Sequence, residues 1–204
     1  MSVIIMKGIK ISNDSVCDFE YFFKPILIDI GTYHWLWQYE NEPCYPDTMP
    51  EKERIEYLAI LSDSNTGQLN CIYTAPSIIL PKFAPYIHND WSDLYGFSNN
   101  VNPTDFLRKL EEKQEQDTLN ITFTMDNLPF EEQATAYENF MQSEKKAQYE
   151  YLNKAVDCCF FNIDGTFWAF FTRNESLLLK VKKYLENLSE ETVVEDVMLE
   201  NWNS

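Results

Sequence analysis

A chain of 204 residues, 15% of them aromatic, can bury about 70% of the surface its unfolded form exposes without disulfide or metal staples. Its 33 acidic residues outnumber 16 basic ones and give a formal charge of -17. That field, spread along the chain rather than confined to a tail, argues against binding nucleic acid or an anionic membrane.

In chain order, Val3–Ile11 reads as a first strand with Gly8 as a bulge, Asp14–Phe23 is ambiguous, and Ile26–Ile30 is an apolar run closed by Gly31. Tyr33, Trp35, Trp37 and Tyr39 then alternate with His34, Leu36, Gln38 and Glu40, the period of a strand with four aromatic rings on one face. Such a ladder either packs inward or presents its rings to a protein or a sugar. Pro43, Pro46 and Pro50 make 41–50 a loop and a candidate internal boundary. Arg54–Leu61 and Leu69–Thr74 read as a hairpin across the polar Ser62–Gln68 connection. Pro76 and Pro81 bracket the short apolar run Ile78–Leu80.

Phe83, Ile87, Trp91, Leu94 and Tyr95 fall at helical spacing and predict a helix ending at Gly96, while Asn102-Pro103 supplies the cap and first residue of another that runs through Phe106, Leu107 and Leu110. The alternation from Leu119 to Asp126 predicts a half-buried strand. Phe130 to about Val156 is expected to be helical, with Phe130, Ala134, Tyr137 and Met141 on one stripe and a break near Ser143.

The densest apolar stretch is 158–171, split by Asp164-Gly165, a dipeptide suited to a two-residue type I′ turn. That turn pairs Ile163 with Thr166, Phe161 with Trp168 and Cys159 with Phe170 on one face, and Asn162/Phe167, Phe160/Ala169 and Cys158/Phe171 on the other. Both faces are apolar, so this hairpin should be covered above and below. Asn174 follows as a helix cap, and Leu177, Val181, Tyr184, Leu185 and Leu188 form one stripe. Residues 190–204 carry five acids and no base, and read as a weak final helix.

Candidate chemistry is sparse. Cys17, Cys44, Cys71, Cys158 and Cys159 are odd in number and irregular in spacing, with the adjacent pair pointing to opposite faces of a strand, so reduced buried thiols are expected. No zinc spacing is present, and Asp63–Gly67 has the turn residues of a calcium loop but Thr74 where the closing acid belongs. Five scattered glycines spell no phosphate loop. His34 and His88 are the two histidines on which a hydrolase would have to draw together with carboxylates. No cofactor, metal or catalytic residue is therefore expected.

These elements make an α+β chain, an antiparallel or mixed sheet built from hairpins with helices packed on it, with 1–188 as one domain and 189–204 as an acidic C-terminal segment. In its acidity, size and lack of catalytic signatures the chain resembles bacterial toxin-neutralising immunity proteins, and it carries no family motif of theirs. The resemblance implies a non-enzymatic inhibitor of a basic protein partner, a toxin or nucleic-acid enzyme, in the cytoplasm and with no oligomeric state specified. The candidate partner-binding residues are Tyr33, Trp35, Trp37, Tyr39, Glu40 and Glu42, with Glu195, Asp196, Glu200 and Trp202 as a second set. A hydrolase using His34 or His88, or a carbohydrate-binding or scaffold module using the Tyr33–Tyr39 ladder, are the alternatives.

Overall fold

A computed structural model describes residues 5–13, 18–39, 49–55, 71–74, 84, 87, 92–130, 132–133, 135–136, 145–163, 167–188 and 191–200. The fold is α+β. Seven strands, β1 (Lys7–Asn13), β2 (His34–Tyr39), β3 (Cys71–Thr74), β4 (Ser92–Phe97), β5 (Cys158–Ile163), β6 (Phe167–Thr172) and β7 (Thr192–Met198), form one sheet in the order β3-β2-β4-β5-β6-β1-β7. Every neighbouring pair is antiparallel. The expectation of a sheet built from hairpins with helices on it is met, although β5–β6 is the one sequence-adjacent pair of strands that also neighbour directly across a short turn.

Both faces of the central strands are buried. On the first face, α1 (Phe19–Phe23), a 3-10 turn (Lys24–Ile26), α2 (Leu27–Ile30) and α5 (Glu175–Leu185) pack over Ile9, Trp35, Phe160, Trp168 and Phe170. The Phe19 and Phe23 rings meet Phe160 edge-on at 5.0 and 4.6 Å, and Phe160 stacks on its cross-strand partner Phe170 at 4.6 Å. On the second face, α3 (Pro103–Met125) and α4 (Lys146–Ala155) cover Leu36, Tyr95, Phe97, Cys159, Phe161 and Phe171. Helices on both sides are what a hairpin apolar on both faces requires.

Local signals placed several elements correctly. Asn174 caps α5, its side-chain oxygen accepting from the Ser176 amide at 3.1 Å, and Leu177, Val181 and Leu185 are buried along one stripe. Asn102 caps α3, accepting from the Asp105 amide at 3.0 Å. Cys71, Cys158 and Cys159 are buried and in no disulfide, with Cys158 and Cys159 in the cores of opposite faces.

Other expectations are overturned. The hairpin register is shifted by one: Ile163 pairs with Phe167, Phe161 with Ala169, Phe160 with Phe170 and Cys158 with Thr172. Three residues, not two, separate the paired ends. Because both strands are apolar on both faces, polarity does not penalise a one-residue slip, and the pattern lost its power to fix the register. Gly8 is no bulge but sits in regular ladders with Phe171 and Val197, where an added Cβ would meet the Phe171 ring at 2.3 Å and the Phe170 carbonyl at 2.4 Å.

Residues 92–97 form β4 rather than the end of a helix, and Gly96 lies within that strand where the Trp35 indole and the Cys158 sulfur leave no room for a side chain, at 2.7 and 2.8 Å. Residues 119–125 continue α3 instead of forming a strand, since adding a residue to an existing helix closes one hydrogen bond per residue ordered. Cys71–Thr74 pairs with β2, not with Arg54–Leu61, of which Arg54 and Ile55 are helical. The final helix expected over 190–204 is β7, paired along its length with β1. The loop 41–48, the Ser62–Gln68 connection, Ile78–Leu80, the turn 164–166, Cys17, Cys44, His88 and the Asp63–Gly67 segment lie outside the described residues.

Candidate functional site

The aromatic ladder does not form a surface. Trp35 and Trp37 are each 1% exposed, on the first face of β2, where Trp35 packs on Phe160 and its indole N–H donates to the Ile30 carbonyl at 2.8 Å. Tyr33 lies half-buried against the same core. The reason is position: β2 has β4 on one side and β3 on the other, and helices cover the face its odd-numbered rings share. Trp35 and Trp37, expected as partner-binding residues, are therefore core residues closed to a protein or a glycan. Glu40, Glu42 and the Tyr39 side chain lie outside the described residues.

The second candidate set is placed differently. β7 is an edge strand, joined to the sheet through β1, and its other edge meets no described strand. Each of its two faces carries apolar side chains flanking one acid. Val194, Asp196 and Met198 stand on the first face, opposite Ile11, Ile9 and Lys7, while Val193, Glu195 and Val197 stand on the second, opposite Ser12, Lys10 and Gly8. Val193 is 53% exposed, Val194 36% and Met198 39%, with Glu195 and Asp196 exposed between them. Asp196 is in an ion pair with Lys182 of α5. Glu200 is exposed just beyond the strand, and Trp202 lies outside the described residues.

A polar cleft of about 440 Å³ opens on the second face, a feature the sequence reading missed. Its floor is the cross-strand pair Gln38–Asp93 with Tyr95, its walls Leu107, Leu110, Glu111 and Gln114 of α3, and its far side Lys145 and Gln148 at the start of α4. Those α3 positions recur at three- and four-residue steps, one stripe of a helix. The Tyr95 hydroxyl reaches back two residues along the strand to donate to Asp93 at 3.1 Å. Burial raises the Asp93 carboxyl to about 6, against the Tyr95 hydrogen bond and the Lys145 charge, which lower it. The helix-like spacing Phe83-Ile87-Trp91-Leu94 hid this site, because it assigned Asp93 and Tyr95 to different sides of a helix.

The amides at the start of α4 do not face the cleft as an empty anion site. Asp117 of α3, itself buried, accepts from Ala147 N at 2.9 Å and from Gln148 N at 3.0 Å. This carboxylate clamps α3 to α4 and satisfies the dipole there.

Among the described residues His34 is not brought to a carboxylate that would make it a base. It stacks on Tyr73 at 6.1 Å, and Asp29 is held by Lys180 at 2.6 Å. Register places His34 opposite Phe97, four residues along β2 from the Gln38–Asp93 pair, or about 13 Å. Burial pushes the Cys158 and Cys159 thiols well above their ordinary range, so neither is a ready nucleophile. Among the described residues no group of three or more His, Cys, Asp and Glu side chains is placed to hold a metal ion, and no helix is long and apolar enough to cross a membrane. No protein-family model, curated protein or solved structure matches the chain.

Proposed function

We propose that this protein is an acidic, non-enzymatic inhibitor of a basic protein partner in the cytoplasm, in the manner of an immunity protein that occludes a toxin or nucleic-acid enzyme. One observation carries the reading: the edge strand β7 offers exposed valines and a methionine interleaved with Glu195 and Asp196, on a chain of formal charge -17. A partner strand can add to such an edge through main-chain hydrogen bonds while side chains on alternating faces supply selectivity. The negative field then speeds encounter with a basic surface, and the carboxylates stand where that surface would otherwise receive phosphates.

The test is capture from lysate of the source cell with the intact chain as bait, run beside a Val194→Lys/Glu195→Lys variant. Retention of one basic protein at one-to-one stoichiometry, with an association rate that falls as salt rises and with loss of binding in the variant, is the expected result. If the variant retains the partner as well as the parent does, β7 is not the interface. Absence of any basic protein at low salt would return the charge to a role in solubility.

A further inference from the structure

The polar cleft on the second face is independent of that reading. It lies on the row of directly paired residues Gln38–Asp93–Phe161–Ala169–Lys10–Glu195, so four strand spacings, about 19 Å, separate Asp93 from the β7 edge. Its volume of about 440 Å³ is that of a small-molecule site. Its chemistry is unusual for a gap between a sheet and two helices: three amides, two carboxylates and one ammonium around two leucines.

The lining selects the sign of a ligand. Asp93 and Glu111 outnumber Lys145, and the α4 amides that would attract an anion are already occupied by Asp117. Asp93 is under-compensated: the Tyr95 hydroxyl bonds it and Lys145 acts on it through its field, yet desolvation outweighs both. A cation delivered into the cleft would supply the missing counter-charge. The cleft also runs on. Glu111 and Gln114 line a second, more open groove of about 590 Å³ along α3, together with Glu115, Thr118 and Leu119. Carboxylates at Asp93, Glu111 and Glu115 thus succeed one another along a track that is also lined by the aliphatic side chains of Leu107, Leu110 and Leu119.

We propose that this track binds a linear aliphatic polyamine, one ammonium seated between Asp93 and Gln38, the next ones on Glu111 and Glu115, and the methylene segments against the leucines. Ammonium groups are triple donors and carboxylates and amide oxygens are acceptors, so each head finds partners. The apolar spacers explain why a polyamine fits and a hydrated metal ion does not. The titratable groups that act with the Asp93 carboxyl are Tyr95 from its own strand, Lys145 at the start of α4 and the buried Cys159 thiol of β5, while Glu111 of α3 lines the same cleft. Binding should weaken as the solution is acidified through the Asp93 titration, since the neutral acid no longer attracts an ammonium.

The test is calorimetric titration of the intact chain with spermidine, beside N-acetylated spermidine and magnesium at matched ionic strength. Saturable one-to-one binding of spermidine is expected, weaker for the acetylated form and absent for magnesium. Asp93→Asn should lower affinity by about tenfold or more, and Glu111→Gln severalfold, whereas Glu195→Gln on the distant edge should leave it unchanged. Thermal melts of each variant confirm folding, and Glu111→Gln decides the matter should Asp93→Asn fail to fold. Equal heats for spermidine and magnesium, or wild-type affinity in both cleft variants, would show a diffuse ion atmosphere around a protein of formal charge -17 and overturn the proposal.

Discussion

β2 and β7 are alike as sequence and opposite as structure. Each sets bulky apolar residues beside polar or acidic ones, and each reads as a surface for a partner, the first as a strand and the second as a weak helix. In the sheet β2 is flanked on both sides and roofed by helices, so Trp35 and Trp37 are buried, whereas β7 is an edge whose Val193, Val194 and Met198 remain open to solvent. Alternation reports that a residue set shares a face. What that face meets depends on where the strand falls in the sheet order, and the order is set by residues more than thirty positions away for β2 and more than 170 for β7.

The sharpest way to break this contrast is Trp35→Ala or Trp37→Ala. Each should cost about 3–5 kcal/mol in urea denaturation, because the lost ring leaves a cavity among Phe160 and its neighbours. A variant as stable as the parent would return the ladder to the surface. Gly8→Ala tests the ladder on which β7 hangs. Its new methyl would press on the Phe170 carbonyl, a backbone atom that cannot swing away, and a loss of about 2–3 kcal/mol is expected from the same measurement.

Asp93 gives a pH signature from the partly buried second face. Its folded pKa of about 6 exceeds the ordinary 3.8, so the native state holds a proton that the unfolded state has released between those values. The contribution of this group to stability therefore falls as pH rises from about 4 to 6, and above that window the charged carboxylate costs up to about 3 kcal/mol. Asp93→Asn should be more stable than the parent at neutral pH and equal to it at acid pH, the difference appearing as a shift in urea midpoint. An unchanged difference across the window would place Asp93 in solvent. The smallest effect belongs to the edge: Asp196→Asn breaks the exposed pair with Lys182 and should cost under about 1 kcal/mol of stability, while slowing association with a basic partner.

How far the sequence could be read follows from which signals are local. Asn174 and Asn102 announce helix starts because a cap acts on amides two or three residues away. The double-sided apolarity of 158–171 announces a central hairpin, and the helices above and below it are present. Its register stayed hidden because Phe160, Phe161, Phe170 and Phe171 satisfy either pairing. Gly96 misled because a glycine between a helical-looking run and a turn suits a helix end, while its actual neighbours, Trp35 and Cys158, come from strands far off in sequence. The cleft was illegible for the same reason, being assembled from β2, β4, α3 and α4. Of the two candidate surfaces, acidity singled out the one that is exposed, and aromatic density singled out the core.

The position of β1 has a consequence for how the chain acquires its shape. This early strand lies between β6 and β7, and Lys7 and Asn13 find side-chain partners 168 and 179 positions later. Until those segments exist, Ile9 and Ile11 belong to a strand with two open margins. Closing loops of that span carries an entropic penalty before any pairing rewards it, a topology that slows folding. The edge proposed for a partner hangs on a strand made long before it, so that edge is the last part of the sheet to be completed.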